Sequence, residues 1–229
     1  MKSIKIGKID NLNYGRREAI NSLKTNMQFA GVDVNTVVVT SCSPGEGKST
    51  ISFDLAKSLA EGGKSVMYID ADMRKSQFVS RYKVENGGQK IGGLTHYLSG
   101  MAEVNDIICS TNIDKLHMIM AGPHSTNPTE LLNSNRFEVL VKTLAETFDF
   151  VIIDSPPLGS VIDAAIMAPL TDGVIVVLEA NATSTKEAQN LARQIEVSGS
   201  RILGYVLNKV NPKDGGYYGK YKYYGDKKK

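Results

Sequence analysis

Tryptophan is absent from the 229 residues, cysteine occurs only twice, and no apolar run is long enough to cross a bilayer. Each absence removes a class of protein. Cys42 and Cys109 cannot build a disulfide framework or a four-ligand zinc site, and neither sits in a CxxC pair, so both are expected to be reduced bystanders. A membrane helix needs ~20 consecutive apolar residues. Residues 1–30 also lack a secretory apolar stretch and a small-residue cleavage site. The expected location is therefore the cytoplasm. Neither sign of charge dominates: 27 basic side chains against 24 acidic ones leave +3. The excess is local, since residues 211–229 hold six lysines and two aspartates and carry +4, leaving about −1 for the rest. A basic tail attracts nucleic acid, an anionic membrane face or an acidic partner.

What is present suits one core. Apolar residues make up 41% of the chain, enough for a single domain over residues 1–210. Six β-branched runs, at 36–41, 64–70, 115–121, 149–155, 173–179 and 201–208, alternate with helix-period segments at 16–30, 48–61, 93–99, 128–147, 161–169 and 184–198. That alternation predicts an α/β fold with a mostly parallel sheet and helices on both faces. Gly62-Gly63 and Gly199 are expected to stop the preceding helices. Residues 75–93, rich in glycine and polar residues without a clean period, are expected to form a mobile loop. Beyond 210, aliphatic residues give way to Gly, Lys and Tyr, a composition that cannot offset ordering entropy and predicts a flexible tail.

The densest chemical signal is SCSPGEGKST at 41–50, placed between a predicted strand and a predicted helix. A glycine-containing loop there turns backbone N–H groups toward a phosphate and adds the positive end of a helix dipole. Pro44, Gly45, Glu46, Gly47, Lys48, Ser49 and Thr50 are thus expected to cradle ATP, with Lys48 on the β and γ phosphates and the Ser49 hydroxyl on Mg²⁺. The strict pattern asks for glycine at position 42, where this chain has Cys42.

Two acidic motifs close other strands. In a doubly wound sheet the ligand crevice lies at the carboxyl ends of strands, so the carboxylates of Asp70-Ala71-Asp72-Met73-Arg74 face it. Alternate residues of an extended segment point the same way, so Asp70 and Asp72 can serve one site, in metal binding or base chemistry. The same D-x-D could instead cap a helix. Asp154, ending VIIDSPP, is the expected Mg²⁺ partner, and a turn-capping aspartate is the alternative. Arg74 is a candidate to stabilise the γ-phosphate. Asn208, at the end of the last strand, could read adenine through its amide or form an Asx turn before Asn211-Pro212.

Five of the ten tyrosines, Tyr217, Tyr218, Tyr221, Tyr223 and Tyr224, occupy the last thirteen residues. Phosphorylation would reverse the tail's sign, because each phosphate adds about −1.5 to −2 charges. The other use of such a tail is stacking on single-stranded RNA or resting on a membrane surface.

These motifs together resemble the bacterial tyrosine kinase family, in the soluble cytoplasmic form found in Gram-positive capsule and exopolysaccharide loci. The resemblance spans nearly the whole chain. It rests on P-G-E-G-K-S at 44–49, I-D-A-D-M-R at 69–74, I-I-D-S-P-P at 152–157, A-G-P at 121–123 with N-P-T-E-L-L at 127–132, and the tyrosine-rich end. The first and third recur in partition and septum-positioning ATPases, so a non-kinase ATPase switch whose tail binds a partner is the alternative.

The resemblance implies a P-loop kinase domain, Mg-ATP, Asp70 as the base, and Asp72 with Asp154 at the metal. It also implies a transmembrane adaptor of the polysaccharide co-polymerase type that recruits the chain to the inner membrane face. A cognate tyrosine phosphatase is expected, and no nucleic acid. Tail exchange in a homo-oligomeric ring depends, in the family, on an E-x-x-R-x-x-R helix. Here that helix reads Glu18-x-x-Asn21-x-x-Lys24, and lysine lacks arginine's planar fork.

Overall fold

The computed structural model describes residues 2–10, 12–31, 34–89 and 91–211. Tyr217, Tyr218, Tyr221, Tyr223 and Tyr224 lie outside the described residues. In chain order the elements are β1 (Lys2–Ser3), β2 (Lys5–Ile6), α1 (Tyr14–Phe29), β3 (Thr36–Ser41), α2 (Lys48–Glu61), β4 (Val66–Asp70), α3 (Phe78–Tyr82), β5 (Val84–Glu85), α4 (Leu94–Leu98) and α5 (Val104–Ile107). They continue with β6 (Ile108–Ser110), β7 (Leu116–Ile119), α6 (Pro128–Leu132), α7 (Asn135–Thr147), β8 (Phe150–Asp154), α8 (Asp163–Met167), β9 (Gly173–Glu179), α9 (Thr185–Val197) and β10 (Ile202–Asn208).

Eight strands form one sheet in the order β1-β6-β7-β4-β8-β3-β9-β10, parallel except for the β6–β7 pair. The central strands read as continuous apolar runs because both faces are covered. In β3, Val38 packs into the cluster formed with α7, α8 and α9, while Val37 and Val39 pack into the cluster formed with α1, α2 and α3. All three valines are fully buried, and each such side chain contributes about 1.5–3 kcal/mol.

All six predicted strands are present, and the predicted architecture holds. Two expectations fail. Residues 75–93 are not a loop throughout, because 78–85 fold into α3 and β5. Phe78 and Tyr82, one helical turn apart, bury their rings against Phe53 of α2 at centroid distances of 5.2 and 4.5 Å. The predicted helix 128–147 is two helices, α6 and α7. Asn133 ends the first and Ser134 starts the second, and the Ser134 hydroxyl bonds back to the Leu131 carbonyl at 2.6 Å. A short polar side chain that bonds its own backbone competes with the helical ladder, which explains the break.

Because β3, β4, β8 and β10 are parallel, their carboxyl ends open on one edge. Asp70 pairs in register with Asp154 on the neighbouring strand. Two residues earlier, Tyr68 and Ile152 lie in the cluster beneath α2. With a period of two, Asp70 and Asp154 therefore project to that same face, toward the start of α2.

Candidate active site

The loop between β3 and α2 owes its shape to glycine. Gly45 and Gly47 adopt φ of 86° and 95°, a left-handed conformation that costs other residues energy. At Gly47 a Cβ atom would also stand 2.2 Å from Nδ2 of Asn208. The amides of Lys48 and Ser49 precede the first bonds of α2, which Thr50 and Ile51 make to the Gly47 carbonyl, and so are available to an anion. That cavity measures about 810 Å³, and its lining includes Pro44, Gly45, Gly47, Lys48, Ser49, Thr50, Asp70, Asp72, Arg74, Asp154 and Asn208.

The sequence places Glu46 among the nucleotide contacts, and the structure gives its side chain another task. Glu46 is buried, accepts the Ser43 amide at 2.8 Å, and also accepts the Thr183 hydroxyl. Its own carbonyl accepts Nδ2 of Asn208 at 2.8 Å. Two separate chain segments, at Thr183 and Asn208, thus brace the loop. Asn208 spends one N–H on this brace and keeps its oxygen and second N–H. Cys42, where the strict motif has glycine, is a buried thiol whose pKa burial pushes up to about 11. Such a thiol is inert, as expected of a bystander.

The carboxylates contrast with the loop. Lys48 Nζ donates to Ser49 Oγ at 3.1 Å and stands 3.9 Å from Asp154 Oδ1. That Oδ1 atom is buried and accepts no hydrogen bond. Burial raises the Asp154 carboxyl above its ordinary value, against the opposing pull of Lys48. Asp70 is pushed up to about 7, first by burial and then by the Asp154 charge beside it. The Ser76 hydroxyl donates to Asp70 Oδ2 and partly offsets the rise. Asp72 turns one oxygen to the amides of Arg74 and Lys75, at 3.2 and 2.9 Å. The turn-capping alternative for this motif therefore holds in part, alongside its place in the cavity wall.

Arg74, the candidate for the γ-phosphate, lines the cavity and is also held by an acidic partner. Its Nε and Nη2 grip buried Asp163 at 2.8 and 3.0 Å, and Nη2 also donates to the Thr129 hydroxyl at 2.9 Å. A bidentate ion pair of this kind fixes the turn after β4. Asp163 carries no sequence signal of its own, and Thr129 lies within the N-P-T-E-L-L stretch.

On α1, Glu18 Oε1 accepts Nδ2 of Asn21 at 3.4 Å. Lys24 reaches the end of α2 at Gly62, where a cation complements the helix dipole. These three residues share one stripe of α1, and Arg16, on the same helix, locks onto Asp54 of α2 at 2.5 Å.

The donor set suits magnesium, which takes hard oxygens, keeps several waters and needs only one or two carboxylates beside phosphates. Among the described residues no three acidic, histidine or cysteine side chains form a metal cluster by themselves. The unpartnered Oδ1 of Asp154 beside Ser49 is the oxygen such an ion would use.

Fold and loop define the class: a P-loop nucleotide-binding α/β protein whose strand ends bring carboxylates to the phosphate site. Comparison with known proteins narrows it. A family model described as an AAA domain matches residues 34–203. Tyrosine-protein kinase CpsD of Streptococcus agalactiae is 42% identical over 208 residues, 91% of this chain and 89% of the relative. The crystal structure of the chimerical protein CapA2B2 matches with a TM-score of 0.80 at 32% identity, covering 90% of this chain and 92% of that one. The septum site-determining protein MinD of Pyrococcus horikoshii, complexed with Mg-ADP, matches at a TM-score of 0.63 and 21% identity, covering 76% and 70%. That last likeness is one of fold. The chain belongs to the bacterial tyrosine-protein kinase family, and its enzyme class is protein-tyrosine kinase.

Proposed function

We propose that the chain uses Mg-ATP to phosphorylate its own C-terminal tyrosines, Tyr217, Tyr218, Tyr221, Tyr223 and Tyr224, in trans within an oligomer. The observation that carries this reading is the buried Oδ1 of Asp154, which accepts no hydrogen bond and has only the Lys48 ammonium, 3.9 Å away, as its counter-charge among the described ion pairs. A carboxylate oxygen left bare in the interior costs free energy unless a ligand completes it. Ser49, Asp72 and Asp154 would hold magnesium, which when bound neutralises charge on the β and γ phosphates. Lys48 and the loop amides would hold the same phosphates in place, since positioning and charge neutralisation dominate phosphoryl transfer.

Asp70 would take the phenol proton as the tyrosine oxygen bonds to the γ-phosphorus and the bond to the β-phosphate oxygen breaks. A phenol has a pKa near ~10, so a base is needed at neutral pH. A carboxyl raised to about 7 is matched to that task. Arg74 would act by holding the Asp72 turn against Asp163. The free half of the Asn208 amide remains for the base.

At the level of the cell, the reading is control of capsular or exopolysaccharide synthesis. A transmembrane adaptor would bring the chain to the inner membrane face, and a tyrosine phosphatase would reverse the mark. Assembly would use the Glu18, Asn21 and Lys24 stripe of α1. Incubation with γ-labelled ATP tests the reading: label on the tail tyrosines is expected. Free phosphate with an unlabelled chain would instead indicate an ATPase switch.

A further inference from the structure

Seven cations line the main cavity, and they fall into two groups. Four have carboxylate partners: Lys48 with Asp154, Arg16 with Asp54, Arg74 with Asp163, and Lys209 with Glu179 at 2.7 Å. Among the described residues Lys8, Lys75 and Arg81 form no ion pair, and all three are exposed. They come from three segments that line the same cavity. Lys8 is set beside α3 by its amide, which donates to the Tyr82 carbonyl at 2.9 Å. Arg81, on α3, donates to the Thr50 hydroxyl at 3.0 Å, next to Ser49. Lys75 follows directly on the Asp72 turn. Asp10 and Asp72, carboxylates without an ion pair in the same lining, reduce the three positive charges of this rim to an excess of one.

The sign of this rim is wrong for the unmodified tail. A segment carrying +4 gains no attraction from three cations at the mouth of the site. One phosphotyrosine adds about −1.5 to −2 charges and three strong acceptor oxygens, which these cations attract. Successive tail tyrosines lie one to three residues apart, and three extended residues span ~10 Å. A phosphate on one tyrosine can therefore rest on the rim while its neighbour enters the site.

We propose that Lys8, Lys75 and Arg81 form a phosphotyrosine subsite, so that the first phosphate on the tail promotes the next and the cluster is modified as a unit. This rests on the tail being the substrate. The same three cations could also meet a phosphate of the nucleotide, and the test separates the two sources.

The probe is a peptide of residues 214–226, unmodified or phosphorylated at Tyr221. It is titrated against the full chain with its five tail tyrosines changed to Phe, in the presence of magnesium and a non-hydrolysable ATP analogue. Fluorescence anisotropy should show the phosphopeptide binding about tenfold tighter, with the advantage shrinking as salt rises. Lys8→Gln, Lys75→Gln and Arg81→Gln together should remove the advantage and leave affinity for the ATP analogue unchanged. Equal affinities of the two peptides for the chain with the rim intact would overturn the subsite, whatever becomes of the triple variant. So would an advantage that survives the triple change, or a triple variant that loses only nucleotide affinity. If the wild-type chain never labels its tail from ATP, the substrate reading beneath the subsite fails. Labelling with equal peptide affinities defeats the subsite alone.

Discussion

The glycine loop and the carboxylate ledge face each other across one cavity and are built on opposite principles. The loop is satisfied from behind: Glu46 takes the Ser43 amide and the Thr183 hydroxyl, while Asn208 holds the Glu46 carbonyl. The ledge is left wanting, with Asp70 and Asp154 in register, both buried, and one oxygen of Asp154 bare. A rigid cradle needs no ligand to hold its shape, whereas like charges brought together out of water are stable only when something neutralises them. The ledge stores the cost that a cation and a phosphate would relieve.

The largest effect should come from breaking the link between the two. Lys48→Met removes the ammonium that faces the phosphates and also the counter-charge of Asp154. Loss of a charge-assisted contact costs ~1.5–3 kcal/mol. Tail labelling should fall at least ~100-fold, toward that upper limit, while circular dichroism reports an intact fold.

Asp70→Asn should sharpen the contrast by making the ledge more stable and less active. The Asp70 carboxyl has a pKa near ~3.9 unfolded and about 7 folded. Between these values the folded state holds the extra proton, so stability is greatest at low pH and declines as pH rises toward 7. The asparagine variant escapes that decline. In buffer free of metal and nucleotide it should gain about 4 kcal/mol over the wild type at pH 8, because folding raises the carboxyl pKa by about three. The gain should vanish near pH 4, as urea unfolding would show. No gain at pH 8 would mean that the ledge is not held at a cost.

Glu46→Gln probes the loop side, with a smaller effect. The amide keeps one acceptor oxygen and loses the other, so about 1.5 kcal/mol should disappear and Tm should fall by about 3–6 °C. The Michaelis constant for ATP should rise more than kcat falls, because the brace shapes the cradle without touching the reacting phosphate. A purely local structural role would leave that ratio unmoved.

The same contrast explains what could be read beforehand. The loop is a contiguous stretch whose glycines and lysine carry their meaning in order, and the long parallel strands announce themselves as unbroken β-branched runs. The acidic strand ends follow from the rule that ligands sit at the carboxyl edge. The braces were hidden because their partners are remote: Arg74 and Asp163 are 89 positions apart, and Glu46 and Thr183 are 137 apart. Nothing near Arg74 distinguishes an arginine aimed at phosphate from one aimed at a buried aspartate. Helix α3 escaped for a similar reason, since Phe78 and Tyr82 form only one turn and acquire their role from Phe53 on another helix. Strands of two or three residues, such as β1 and β6, are too short to show a period.

A double-mutant cycle across the cavity tests most directly whether loop and ledge act as one site. Affinity for a non-hydrolysable ATP analogue with magnesium would be measured for the wild type, Lys48→Met, Asp154→Asn and the double variant. Groups that grip the same ligand complex should be coupled by about 1 kcal/mol or more, so the double variant should lose less than the two single losses combined. Additive losses within ~0.5 kcal/mol would show two independent patches and contradict the account.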